Sequence, residues 1–117
     1  MRLSDLPPAG TVLCDLDAIA DPGAFGVRFG SGEHHVALVL VRRGERVTGF
    51  LNRCPHAFAP LDTHSGQFIA ATGGELICDS HGARFDPETG LCTLGPCRGR
   101  SLTSVPVSRD GDRIVLG

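Results

Sequence analysis

The longest uninterrupted apolar stretch in the chain is Val36-Ala37-Leu38-Val39-Leu40-Val41. It is far too short to cross a bilayer, and its length and β-branched content predict a buried strand. Arg43-Gly44-Glu45 follows with the length and chemistry of a hairpin turn, so Arg46 to Leu51 is predicted as the returning strand. A second pair closes the chain: Ser101 to Ser108 and Arg113 to Leu116 flank Arg109-Asp110-Gly111-Asp112, where Asp-Gly is a strong turn signal. Thr11 to Leu16 fits a short strand, whereas the glycine-rich stretch Asp21 to Gly32 reads as loop with a brief extended piece at Val27 to Phe29. Between the hairpins, residues 52 to 100 differ in kind, with short strands predicted at Glu75 to Cys78, Ala83 to Asp86 and Gly90 to Thr93.

Composition narrows the class. A length of 117 residues fits one domain, 1–117, and no Pro/Gly/Ser stretch is long enough to separate two. Sixteen glycines and eight prolines imply many turns and short elements, which favours an all-β fold. A hydrophobic share of 41% argues against disorder. The formal charge of −2 leaves no electrostatic footprint for nucleic acid. The N-terminus lacks the apolar core of a secretory signal, so a cytoplasmic protein without membrane attachment is expected.

Five cysteines cannot all pair within the chain, and in a reducing compartment cysteines near histidines are more often metal ligands. Residues 52 to 100 hold four of these cysteines and three of the five histidines. Two short segments stand out: Cys54-Pro55-His56 and Cys78-Asp79-Ser80-His81. Four such ligands could bind one zinc ion or a binuclear iron–sulfur cluster. Structural zinc sites usually pair like ligands locally, whereas each half here mixes thiolate and imidazole. A binuclear cluster accounts for the mixing if both cysteines bind one iron and both histidines the other.

In these residues the chain resembles the Rieske family. The likeness comprises Cys54-x-His56 and Cys78-x-x-His81-Gly82, then Pro60-Leu61 after the first segment and Phe85-Asp86 after the second. It extends through Thr89-Gly90 to Gly95-Pro96, which is similar to the proline loop that covers the family's cluster. The run of twenty-one residues from Ala57 to Ile77 is longer than the family norm, and the excess is placed at His64 to Gly74. The resemblance implies an antiparallel β scaffold with a smaller, loop-rich cluster-binding subdomain at about 52–100. It implies one [2Fe-2S] cluster per chain, on Cys54, His56, Cys78 and His81.

Two ferric ions, two sulfides and two thiolates sum to zero, because neutral imidazole adds no charge. Reduction is therefore easier than in an all-cysteine cluster, with potentials of about −150 to +300 mV against roughly −400 mV for plant-type ferredoxins. High-potential members carry serine and tyrosine hydroxyls where this chain has Ala83 and Phe85, and a disulfide where it has Ala59 and Ser80. The low end of the range is thus expected, as in Rieske-type ferredoxins.

The function implied by resemblance is single-electron transfer from a reductase to a terminal oxygenase or similar enzyme, by a chain that is monomeric when isolated. No nucleophile–base pair, phosphate loop or dinucleotide fingerprint is present, so no catalysis by the chain itself is expected. Two alternatives stay open: a small subunit feeding electrons into an oxidoreductase complex of oxygenase or nitrite-reductase-like type, and a structural zinc module. Cys92 and Cys97 bracket Thr93-Leu94-Gly95-Pro96 and read as small buried hydrophobes, with a local disulfide or redox pair as the other possibility. Cys14 reads as core, His64 as a solvated loop residue, and His34 and His35 carry no assigned role.

Overall fold

The computed structural model describes residues 6–21, 23–30, 36–53, 76–78, 83–86, 88–95 and 99–117, with Cys78 described by its backbone alone. Among the described residues ten strands run in the order β1 (Val12–Asp15), β2 (Gly23–Phe29), β3 (Val36–Arg43), β4 (Arg46–Leu51), β5 (Leu76–Cys78), β6 (Ala83–Phe85), β7 (Cys92–Leu94), β8 (Ser104–Val105), β9 (Val107–Asp110) and β10 (Arg113–Leu116). A single 3-10 turn at Leu16–Ala18 is the only helical element among the described residues. The strands make three sheets, ordered β1-β10-β9, β2-β3-β4-β8 and β5-β6-β7. Every pairing is antiparallel, so the fold is all-β as the turn-rich composition predicts.

The apolar run explains how the sheets stack. Residues 36 to 41 are all buried, and alternate side chains belong to different cores. Val39 and Val41 pack with Phe50, Leu76, Ala83, Phe85, Cys92 and Leu102. Val36, Leu38 and Leu40 pack with Leu13, Leu16, Ile19, Leu51, Val105, Ile114 and Leu116. Since successive side chains of a strand point to opposite faces, β3 is covered on both sides and its sequence has no polar alternation. The first core joins the central sheet to β5-β6-β7; the second joins it to β1-β10-β9.

Two predicted boundaries change. The loop-like segment near Gly23 is a full seven-residue strand, because β2 pairs with β3 from Gly23–Arg42 to Phe29–Val36. Pairing with the long strand overrides the weak strand preference of Gly23 and Gly26. The predicted strand Ser101 to Ser108 is divided at Pro106 between β8, which pairs with β4, and β9, which pairs with β10. Proline has no N–H for a ladder, and the chain changes sheets there. Both predicted hairpins form, closed by Arg43–Arg46 and Asp110–Arg113.

Arg42 ties the second core's entrance to the first hairpin. Its Nη1 donates to the carbonyls of Leu16 and Ile19 at 3.2 and 3.1 Å, and its Nε to that of Gly44 at 2.8 Å. The Gly44 N–H donates in turn to Asp21 Oδ1 at 2.7 Å.

Candidate metal centre

The strands that flank both candidate segments contribute to the first core. Phe50 of β4 anchors the chain before Cys54, while Leu76 of β5 and Ala83 and Phe85 of β6 flank the second segment, and all four are buried together. At the end of β4, the Leu51 N–H donates to the Thr103 carbonyl and the Asn52 N–H to the Ala37 carbonyl, each at 2.9 Å. Asn52 is buried, so the two residues before Arg53-Cys54 are fixed on both flanks. Sequence reading passed over Asn52; a polar residue directly after a buried strand and before a candidate ligand is the signal that marks it.

The second segment starts from a hairpin. Cys78 pairs with Ala83, Ile77 with Arg84 and Leu76 with Phe85. His81 thus lies within the four-residue connection 79–82 that the Cys78–Ala83 pair closes. Cys54, His56 and His81 are outside the described residues, and Cys78 is placed by its backbone at the end of β5. The proposed donor set of Cys54, His56, Cys78 and His81, two thiolates and two imidazoles, would suit a binuclear cluster in its chemistry.

The Phe85-Asp86 and Thr89-Gly90 positions build the reversal from β6 to β7. Asp86 Oδ1 accepts the N–H groups of Glu88 at 2.8 Å and Thr89 at 3.1 Å. The Gly90 N–H donates to the Asp86 carbonyl at 2.8 Å, and the Asp86 N–H to the Leu91 carbonyl at 2.9 Å. The Glu88 and then the Thr89 N–H hold the Asp86 carboxyl below the ordinary carboxylate range, against a smaller opposing effect of burial; Arg43 and the Thr89 hydroxyl assist. Ala83 and Phe85 are fully buried, and neither side chain carries a hydrogen-bond donor.

Cys92 is a core residue, as read from the sequence, and its Sγ donates to the Leu94 carbonyl at 3.3 Å. Cys14 packs against the other core, where burial and then Asp15 raise its thiol pKa. These two cysteines therefore serve different layers. Cys97, His34, His35 and His64 lie outside the described residues, and with Cys97 so does the question of a Cys92–Cys97 bond. No helix among the described residues is long and apolar enough to cross a membrane.

Residues 11–107 match the family described as Rieske [2Fe-2S] domain. Among solved structures, the chain is similar to the ferredoxin of carbazole 1,9a-dioxygenase from Nocardioides aromaticivorans IC177, at 28% identity and a TM-score of 0.71 over 93% of this chain and 97% of that one. It shares the fold of the Sphingomonas yanoikuyae B1 ferredoxin, with 23% identity and a TM-score of 0.68 over 92% and 96% of the two chains. Among curated proteins it is 43% identical, over 60 residues, to the oxygenase component of chloroacetanilide N-alkylformylase from Rhizorhabdus wittichii (strain DC-6 / KACC 16600). That match takes in 50% of this chain but spans only 16% of the relative.

Proposed function

Because the chain belongs to the Rieske [2Fe-2S] domain family, we propose that it is an electron carrier, passing single electrons from a reductase to a terminal oxygenase or related enzyme. The observation that carries this reading is the likeness, nearly end to end, to a ferredoxin of a dioxygenase system. One cluster per chain is held by Cys54 and Cys78 on one iron and by His56 and His81 on the other. When bound, the cluster supplies one-electron chemistry at a centre that is uncharged in its oxidised form.

The protein's own residues orient and insulate. Val39, Val41, Phe50, Leu76, Ala83, Phe85, Cys92 and Leu102 form a buried core to which the strands on either side of the two ligand segments belong. Ala83 and Phe85 offer no hydroxyl to the cluster sulfurs, so less of the added negative charge is stabilised and the midpoint lies low in the family range. The chain catalyses nothing alone, works in the cytoplasm and is monomeric when isolated.

Electron paramagnetic resonance of the reduced protein, with iron and acid-labile sulfide analysis, tests the ligand set. Two irons and two sulfides per chain with a g-average below the all-cysteine value are expected. A colourless protein with one zinc and no sulfide would replace this reading with the structural zinc module. The match to an oxygenase component favours a second reading, an electron-input subunit of a larger complex. Gel filtration in cell extract separates the two, since a shuttle elutes alone and a subunit co-elutes.

A further inference from the structure

Gly95, whose φ is +104°, stands against the backbone of Ala83. A Cβ there would stand 2.8 Å from Ala83 Cα, 3.2 Å from Ala83 Cβ and 3.3 Å from Ala83 N. Two of these three atoms are backbone, so no change of rotamer relieves the clash. Ala83 cannot retreat, because it is fully buried among Val39, Val41, Phe50, Leu76 and Phe85. The Leu94–Gly95 turn is also tethered: the Cys92 thiol donates to the Leu94 carbonyl at 3.3 Å, and Thr93 Oγ1 donates to the Arg84 carbonyl at 3.4 Å.

Ala83 is in turn the residue that pairs with Cys78 and closes the connection carrying His81. We propose that Gly95 is a positioning residue for the cluster: its missing side chain seats the Leu94–Gly95 turn on Ala83 and so locks the Cys78–Ala83 closure. The proposal rests on the reading of Cys78 and His81 as ligands. Any side chain at Gly95 displaces the Ala83 backbone, and with it the Cys78–Ala83 pairing from which that segment departs.

Gly99 provides the control. Its φ is +91°, so an alanine is strained there too, yet a Cβ would meet nothing within 4 Å. The experiment compares Gly95→Ala, Gly99→Ala and wild type, purified with cluster, by the rate of bleaching under an iron chelator and the resonance spectrum of the reduced protein. Gly95→Ala is expected to bleach about tenfold faster or more, with shifted g-values, as overpacking of a tight site implies. Gly99→Ala is expected to stay within about twofold of wild type with an unchanged spectrum, its strain being far from any contact. If Gly95→Ala does not fold, Cys92→Ala replaces it, since it removes the tether on Leu94 without adding bulk; the same two outcomes apply. Equal bleaching rates and wild-type spectra in both variants overturn the proposal alone. A wild-type protein that assembles no Rieske-type cluster overturns the ligand reading beneath it as well.

Discussion

Gly90 lies so close to Phe50 that a Cβ on the glycine would stand 2.8 Å from Phe50 Cε1 and 3.2 Å from Leu102 Cβ. Phe50 is buried and fixed by its place in β4, and Gly90 has a φ of +77°, so two independent constraints demand glycine. The Gly90 carbonyl also accepts the Leu102 N–H at 2.9 Å, which fastens the β6–β7 reversal to the chain leading into β8.

Gly90→Ala is accordingly expected to destabilise the protein by about 2–3 kcal/mol, combining overpacking with backbone strain. Gly111→Ala, at φ +62° with nothing within 4 Å of the added carbon, should lose only about 1 kcal/mol. Urea unfolding of both variants checks the difference; equal losses would show that the Phe50 contact carries no weight.

Leu76 and Ile114 are each fully buried but belong to different cores. Truncating either to alanine should remove about 2–5 kcal/mol. Their effects on iron content should differ, because Leu76 stands two residues before Cys78 in β5 and Ile114 lies in the opposite layer. Leu76→Ala is expected to lower iron per folded chain and Ile114→Ala to leave it at the wild-type value. Matching iron losses would contradict the division into two cores.

Arg42 serves three carbonyls on two elements, and its removal leaves the Leu16 and Ile19 carbonyls without that donor. Arg42→Met, which keeps much of the aliphatic stem, should destabilise by about 2 kcal/mol. Thermal unfolding measures the loss, and an unchanged midpoint would mean that water replaces the guanidinium fully.

Asp86 gives a pH dependence with a definite sign. Its carboxyl pKa is lowered in the fold, chiefly by the Glu88 N–H and then by that of Thr89. The unfolded chain therefore binds a proton first, so this group's stabilisation is complete above the ordinary aspartate range near ~3.9 and is lost as the pH falls through the lower folded value. Asp86→Ala should remove that acid-sensitive part and cost about 1 kcal/mol at neutral pH through loss of the turn cap. Unfolding free energies at neutral and acidic pH test it; a variant with the wild-type acid slope would exclude Asp86 as its source.

The raised pKa of Cys14, due to burial and then to the charge of Asp15, keeps its thiol protonated at neutral pH. Iodoacetamide should modify it in the folded protein well below the rate of an exposed cysteine at the same pH. Mass spectrometry after timed quenching would reveal the opposite outcome as rapid labelling at Cys14.

Local signals in the sequence determined several features of this protein. Gly44 and the Asp110-Gly111 pair mark two hairpins because tight turns need few residues of special chemistry, and both form. Cys54, His56, Cys78 and His81 are proposed as ligands from residue type and family resemblance, and Cys92 and Cys14 are core residues of the kind their surroundings in sequence suggest. Features that need a distant partner were settled by the tertiary structure alone. Gly23 and Gly26 join a seven-residue strand because β3 pairs along its whole length, and Pro106 becomes a crossing point because β4 and β10 wait on either side. The apolar stretch in β3 reads as merely buried until two layers divide its side chains between them. The need for glycine at positions 90 and 95 is likewise invisible in their neighbours, since Phe50 and Ala83 impose it through excluded volume across chain separations that no local pattern records.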